Sequence, residues 1–316
     1  MKTSRSAQQL IKAPSPYRAE LREFTNKSFP EFMSFKLGLV GLIFMLSFCL
    51  RPASAQVQQA WVAKYNNGIT NGTHQAVKTA LDTAGNIYIT GFSQNTNGNI
   101  GYAILKYAPN GDLIWVSRLD STDFTNAQPS SLALDASNNV FVTGSGGTFK
   151  YDPNGNVVWA TNIYATALAL DTNGNAYVTG VSNAFTTMKF GSTGSNLWTV
   201  TFAGFGLSNI AQVIVVDSQA NAYVAGSATA PYEYGFPPQA PLEIFKYDSN
   251  GNEIWNAHPS STPPQVVTIV TNGTNLYILV NYYAAGQPYN VLAYTTDGTQ
   301  EWTSVIHSAL VALHLE

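Results

Sequence analysis

From about residue 75 onward, the chain consists of short runs in which apolar and polar residues alternate, separated by turns rich in Gly, Asn and Asp. A period of two predicts β-strands with one buried face, and Asn-Gly or Gly-Asn pairs predict tight turns between antiparallel strands. Four kinds of strand recur in a fixed order. The first is followed by an acid, the second ends at Thr-Gly or Ala-Gly, the third ends in Lys and an aromatic residue, and the fourth contains Trp. The acids are Asp82, Asp135, Asp171 and Asp217.

A glycine four residues before a tryptophan marks the turn between the third and fourth strands of every repeat. These tryptophans are 39 to 57 residues apart. Four antiparallel strands in a unit of this length predict the blade of a β-propeller, which buries its faces only against neighbouring blades. A β-sandwich, the alternative all-β architecture, does not predict one tryptophan at one offset in every unit. The pairs are Gly111/Trp115, Gly155/Trp159, Gly194/Trp198, Gly251/Trp255 and Gly298/Trp302.

The repeats predict five complete blades and an incomplete sixth. The stretch beginning at Trp61 has the pattern of a lone fourth strand, and residues 312–316, around Leu313, have the pattern of a first strand with Glu316 in place of the acid. Two interpretations stay open. The ring closes with a two-stranded remnant that joins the termini, or the chain is truncated and leaves an exposed strand edge.

The repeated motifs resemble those of the bacterial seven-bladed β-propeller repeat family. That family has the pattern D-x-x-G-N-x-Y-x-T-G followed by K-Y-x-x-x-G-x-x-x-W, and residues 82–91 and 171–180 match its first half in full. The resemblance extends over residues 61–302. It implies an exported propeller protein but no single activity.

The N-terminal region has the pattern of a targeting signal. Residues 37–50 form a 14-residue apolar run after Lys36, and an Ala-Ser-Ala site follows at 53–55. This predicts a secretory signal at 33–55, cleaved after Ala55, and a mature propeller at 56–316 in the periplasm, at the cell surface or outside the cell. A membrane anchor is the alternative, but 14 residues are short for a span of about 20. Residues 1–32 have the character of a gene-model extension or disordered leader, since a complete signal begins at Met33.

Composition and charge narrow the function classes. Aromatic residues make up 12% of the chain and charged residues 10%, which suits short packed strands and excludes intrinsic disorder. Residues 56–316 hold seven Lys/Arg against fifteen Asp/Glu, a net charge of −8. An acidic domain with scattered cations makes a poor nucleic-acid binder. The single cysteine, Cys49, lies in the signal and leaves the mature domain without thiol chemistry.

The recurrent polar residues favour structural roles. An Asp before Gly-Asn accepts hydrogen bonds from nearby amides and sets a turn, and one such Asp per blade follows from repetition of the fold. The Asp-x-Asn-Gly-Asn turns place glycine at position 4, whereas a calcium loop of the EF-hand type needs it at position 6. The Gly-x-x-x-Trp hairpins resemble the tryptophan-docking motif of quinoprotein dehydrogenases, which is a packing device and does not imply the quinone. No catalytic motif, metal site or cofactor site is predicted.

The connections between blade strands differ at the two ends of the predicted propeller. Those between the second and third strands and between blades vary in length, and variable loops on a rigid scaffold are where binding residues concentrate. Two of these loops are rich in aromatic residues, which suit a glycan or protein ligand; their packing against one another is the alternative. The variable loops are 66–74, 120–130, 227–241, 256–265 and 281–290, and the candidate ligand-binding residues are Tyr232, Glu233, Tyr234, Phe236, Tyr282, Tyr283 and Tyr289.

Three functional hypotheses follow from the sequence. The leading one is an exported, non-catalytic binding module for a glycan or a protein, with no stable membrane span after signal cleavage. The second is an extracytoplasmic enzyme, such as a quinoprotein-like oxidoreductase or a polysaccharide lyase. An acid–base cluster at the variable-loop end would favour the enzyme, and an apolar or Asn/Thr lining would favour binding. The third is a repeat fragment without an independent role.

Overall fold

The computed structural model describes residues 59–119, 126–180, 185–202, 209–228, 241–260, 264–282 and 289–306. Within these ranges every regular element is a β-strand, and consecutive strands pair antiparallel in five four-stranded sheets. The predicted all-β propeller with five complete blades is therefore confirmed. The first two blades contain β1 His74–Leu81, β2 Ile87–Gln94, β3 Ile100–Tyr107, β4 Leu113–Leu119, β5 Pro129–Leu134, β6 Val140–Gly144, β7 Thr148–Tyr151 and β8 Val157–Thr161. The other three contain β9 Ala167–Leu170, β10 Ala176–Thr179, β11 Phe185–Phe190, β12 Asn196–Phe202, β13 Asn209–Val216, β14 Ala222–Ala228, β15 Leu242–Tyr247, β16 Glu253–Ser260, β17 Pro264–Thr271, β18 Asn275–Tyr282, β19 Tyr289–Thr295 and β20 Gln300–Ile306.

The recurrent acid ends the first strand of a blade by accepting the amides of the following turn. In the first blade, Asp82 Oδ1 accepts the N–H groups of Ala84 at 3.0 Å and Asn86 at 2.8 Å. The Asn86 side-chain amide donates to Asp82 Oδ2 at 2.8 Å. The same bonds recur at Asp135, Asp171 and Asp217. Each acid thus satisfies donors that the turn would otherwise leave unpaired, which explains its fixed place in the repeat.

The glycine at the end of the second strand permits close approach of the first strand. The register of β1 and β2 shifts between Ala76 and Lys78, which moves the β1 backbone towards Gly91. A Cβ atom at Gly91 would lie 2.1 Å from the carbonyl oxygen of Gln75. Gly226 in the fourth blade has the same environment, 2.1 Å from the Ile210 oxygen. The Thr-Gly of the motif is therefore a steric requirement of the bulged first strand.

The apolar core lies between blades. The first strands of successive blades pack side by side, in the order β1, β5, β9, β13 and β17. Tyr88 and Tyr102 of the first blade pack with Val140 and Tyr151 of the second, and equivalent clusters fill the next three junctions. The second and third strands are mostly buried, whereas the fourth strands are half exposed. Each blade therefore depends on its neighbours for stability.

The N-terminal segment differs from its predicted form. Residues 59–66 contain no regular strand. Trp61 nevertheless packs against the turn of the first blade, as Trp115, Trp159, Trp198 and Trp255 pack against the turn of the next blade. Among the described residues no third strand lies beside this segment, so no ladder holds it in strand geometry. The predicted C-terminal strand near Leu313, the leader at 1–32 and the signal at 33–55 lie outside the described residues.

Candidate functional site

The predicted aromatic site falls mostly on residues that the structure does not describe. Tyr232, Glu233, Tyr234, Phe236 and Tyr283 lie outside the described ranges. Tyr282 is the last residue of β18, and its side chain is not among those described. Tyr289 begins β19 and is half buried, with its backbone paired to those of Asn281 and Ile306. The site at these loops stays a prediction.

The tryptophans and turn glycines join successive blades. The Trp159 indole lies against Gly194, where a Cβ atom would be 2.8 Å from Trp159 Cγ. Trp159 Nε1–H donates to the Ser192 carbonyl oxygen at 3.2 Å, in the same turn. Trp61, Trp115, Trp198 and Trp255 make the equivalent contacts with the turns at Gly111, Gly155, Gly251 and Gly298. Trp302 differs, since it is 45% exposed.

In four blades, a buried or half-buried lysine donates to the turn that the docked tryptophan contacts. Lys189 Nζ donates to the Ser249 carbonyl oxygen at 3.2 Å, which also accepts the Trp198 indole N–H. The ammonium lies 4.8 Å from the Tyr177 ring centroid and 3.4 Å from Asp171 Oδ2. Lys106, Lys150 and Lys246 repeat the carbonyl and ring contacts. These lysines stabilise blade junctions through cation–π and hydrogen-bonding contacts.

We expect Asp171→Asn to reduce the free energy of unfolding by about 2 kcal/mol at neutral pH, because it weakens charge-assisted hydrogen bonds and a buried ion pair. Burial raises the pKa of Asp171, but hydrogen bonds from Asn175, the charge of Lys189 and the Asn173 amide lower it more, so it lies below its ordinary 3.8. The carboxylate therefore contributes stability above pH 3.8 that is lost as pH falls through the lowered pKa.

Denaturant unfolding of wild type and variant between pH 2 and pH 7 measures this effect. Asp82→Asn is the matched control, because Asp82 makes the same turn bonds without an ion pair among the described residues. Asp82→Asn should lower the free energy of unfolding by less than Asp171→Asn does. Equal losses would show that the ion pair with Lys189 adds nothing.

An open cleft of 570 Å³ lies between the second and third blades at the variable-loop end. Its described walls come from four parts of the chain: the connections entering β5 and β9, and those after β6 and β10. Asn126, Gln128, Ser145 and Tyr164 are all exposed at this cleft. None of the described residues that line it is charged. They are Asn126, Gln128, Pro129, Ser130, Gly144, Ser145, Tyr164, Ala165, Thr166 and Gly180.

Hydrogen bonds between blades hold the floor of the cleft. Ser130 Oγ lies 3.2 Å from the Thr143 carbonyl oxygen in its own blade and 2.9 Å from that of Ala165 in the next. Thr166 Oγ1 lies 2.7 Å from the Ala211 carbonyl oxygen of the fourth blade. These hydroxyls are engaged with the backbone, so they shape the cleft while the exposed side chains above them can contact a ligand.

A second unusual group lies between the third and fourth blades. Glu243 on β15 is 1% exposed, and its carboxylate contacts Nδ1 of His258 on β16. Burial raises the pKa of Glu243, and the neighbouring His258 partly opposes this by favouring the charged form. Phe245, two residues further along β15, packs with Phe185 and Phe202 of the third blade. The carboxylate thus lies at a largely apolar junction.

Glu243→Gln is expected to raise the melting temperature at neutral pH. Because the pKa of Glu243 is raised on folding from an ordinary 4.5, the folded chain holds the proton more tightly than the unfolded chain, and stability falls as pH rises through the raised pKa. Glutamine does not ionise, so the gain should vanish below pH 4.5. Melting curves from pH 4 to pH 8 test this, with the exposed Glu253→Gln as control. A variant less stable than wild type at every pH would show that the His258 contact outweighs the cost of burial.

The described residues contain no group of three or more His, Cys, Asp or Glu side chains placed to hold a metal ion. Over the same ranges, the structure has no helix with the length and apolar character needed to cross a membrane.

Comparison with known proteins agrees with this geometry. Residues 160–185 match the model of a family described as β-propeller repeat, a stretch that includes β9 and β10 of the third blade. The matched stretch is similar to that family, and the chain has the β-propeller fold. Seven blades, as in the resemblance drawn from the sequence, are not confirmed, since the described residues form five. No curated protein matches this sequence.

Solved structures similar to this propeller have low sequence identity. A protein of unknown function from Bacteroides caccae is 12% identical, with 73% of this chain and 82% of that chain covered and a TM-score of 0.47. A eukaryotic initiation factor is 9% identical, with 73% and 55% covered and a TM-score of 0.46. The C-terminal WD40 domain of Sif2 is 10% identical, with 74% and 75% covered and a TM-score of 0.39.

Sequence reasoning misses the cleft residues of this propeller because they look unremarkable in the chain. The 120–130 loop has the variable length expected of a binding loop, but its Asn126 and Gln128 belong to no motif, and Tyr164 lies in a short connection. Glu243 could have been noticed in the sequence, because it is an acid within the apolar pattern of a third strand, at Leu-Glu-Ile-Phe. No sequence signal pairs it with His258.

Proposed function

We propose that this protein is an exported, non-catalytic binding module that holds its ligand at the variable-loop end of the propeller. The observation that carries the proposal is the cleft between the second and third blades. Its volume lies within the range of about 300–1,000 Å³ that small-ligand sites occupy. Among the described residues, its lining of amides, hydroxyls and one exposed tyrosine suits hydrogen bonding to a ligand.

Export rests on the signal pattern at residues 33–55. Expression of the full chain in a bacterial host should yield a mature protein outside the cytoplasm whose first residue is Gln56. N-terminal sequencing of the fractionated protein measures this. A cytoplasmic protein that retains residues 33–55 would contradict export.

The binding proposal is tested by a screen of the purified full chain against a glycan array and a set of secreted-protein extracts. Two variants each change a different part of the variable-loop end. Tyr164→Ala changes the cleft, and the combined Tyr232→Ala, Tyr234→Ala and Tyr282→Ala changes the aromatic loops predicted from the sequence. Loss of binding in the first variant supports the cleft. Loss in the second alone would place the site at the fourth and fifth blades, and full binding by both would contradict the loop face.

A further inference from the structure

We infer that the ligand of the cleft is an uncharged saccharide. This rests on the proposed function and adds the chemical class of the ligand. The observations that carry it are the charge, the hydrogen-bonding groups and the exposed aromatic side chain of the lining, all of which lie on residues that the structure describes.

The neutral lining disfavours ionic ligands. All ten described lining residues are uncharged, and the glutamate–histidine pair of the fourth blade is not among them. A uronate, phosphate or sulfate placed here would exchange water for a lining without a cation to pair with it, which is unfavourable. A cationic ligand would likewise find no carboxylate on these residues. The described part of the lining therefore favours neutral ligands over charged ones.

The two amides of the cleft are arranged to bind hydroxyl groups. Gln128 Nε2 donates to Asn126 Oδ1 at 3.0 Å, which links the two side chains. That bond leaves one amide NH₂ and one amide carbonyl, on neighbouring side chains, directed to other partners. A hydroxyl both donates and accepts, so neighbouring hydroxyls of a sugar ring match such a donor and acceptor pair. If the oxygen and nitrogen of both side-chain amides exchange places, the pair still keeps one NH₂ donor and one carbonyl acceptor for other partners.

Further hydrogen-bonding groups and an aromatic side chain complete the cleft. Ser145 Oγ accepts the Gln128 backbone N–H at 2.8 Å and lies 3.3 Å from the Gln128 carbonyl oxygen, so it holds the backbone that carries the amides in place. Tyr164 is 43% exposed and presents part of its aromatic ring at the cleft. A pyranose has the complementary character, with C–H groups on its faces and hydroxyls at its rim. This combination fits a sugar better than a wholly apolar ligand, which would leave the amides unpaired.

Isothermal titration of the full chain with neutral gluco- and manno-oligosaccharides, and with oligouronates of equal length, tests the inference. We expect binding of a neutral oligosaccharide, with the oligouronates at least tenfold weaker. Tyr164→Ala and Gln128→Ala should each weaken binding about fivefold to tenfold, in line with loss of one aromatic or hydrogen-bonding contact. Trp302→Ala, distant in sequence and absent from the lining, should leave affinity unchanged. Melting curves establish that each variant is folded. If Tyr164→Ala does not fold, Gln128→Ala alone tests the cleft.

The possible outcomes distinguish failure of the saccharide inference from failure of the proposed binding function. Oligouronates binding as tightly as neutral sugars, or a protein ligand whose affinity falls in the cleft variants, would overturn the saccharide inference and leave the proposed binding function standing. Neutral sugars that bind with affinity unchanged in both cleft variants would overturn the assignment to this cleft. No binding to any glycan or extract would overturn the proposed function itself.

Discussion

Replacing Trp159 with alanine is expected to lower the free energy of unfolding by about 4 kcal/mol. The side chain is 8% exposed and lies between Phe141 of its own blade and Phe190 of the next, with ring centroids 6.0 Å and 5.9 Å away. The substitution removes these contacts, leaves a cavity at the blade junction and deprives the Ser192 carbonyl of the indole donor. Chemical denaturation followed by circular dichroism measures the loss.

Trp302→Ala is the internal control for this prediction. Trp302 has the same place in its blade, opposite Ala293 as Trp159 is opposite Lys150, but it is 45% exposed. Its described ring contact is with Tyr277 of its own blade. We expect its replacement to cost about 1 kcal/mol, since little buried area is lost. Equal losses at the two positions would mean that tryptophan stabilises a blade internally and contributes little to the junction.

The second large effect is expected at the other side of the same contact. Gly194→Val should destabilise the protein by about 4 kcal/mol, from a positive φ that a β-branched residue rarely adopts and from overpacking against the indole. The φ of Gly194 is 86°, and a Cβ there would lie 2.8 Å from Trp159 Cγ. Unfolding of the purified variant in denaturant gives the value.

Gly273→Val separates the two causes. Gly273 has a φ of 90°, but no atom lies within 4 Å of its Cβ position. This variant introduces only backbone strain, about 2 kcal/mol, and the difference between the two glycines measures the collision with tryptophan. In the double variant Trp159→Ala, Gly194→Val, the total loss should be less than the sum of the single losses, because the alanine removes the group that the valine meets. Full additivity would contradict the packing of Gly194 on Trp159.

Much of the fold was predictable because its causes are local. The turn acid is an example: Asp82 binds the amides of residues two and four positions later, so the pattern is complete within one stretch of sequence. The blade junctions were predictable in kind, since a tryptophan at one offset in every repeat indicates a shared packing role. The acceptor that Trp159 and Lys150 share at Ser192 was not, because it belongs to the next blade.

The candidate site was the least predictable part. The aromatic loops are candidates because aromatic residues suit recognition, and most of their residues lie outside the described ranges. The cleft instead depends on Asn126, Ser145 and Tyr164, which lie in different connections and meet because two blades pack side by side. Nothing in their sequence neighbourhoods distinguishes them from ordinary loop residues.

The strands of the five blades, the turns between them and the offset of the tryptophan in each repeat can be predicted from the sequence alone. These features follow from the alternation of apolar and polar residues and from turn residues that act over a few positions, so the residues that determine them lie within each repeat. Three features depend on how the blades pack: which loops form a cleft, the uncharged character of its described lining, and the burial of Glu243 against His258. Such features arise between segments distant in the chain, where the packing of one blade on the next sets the distances.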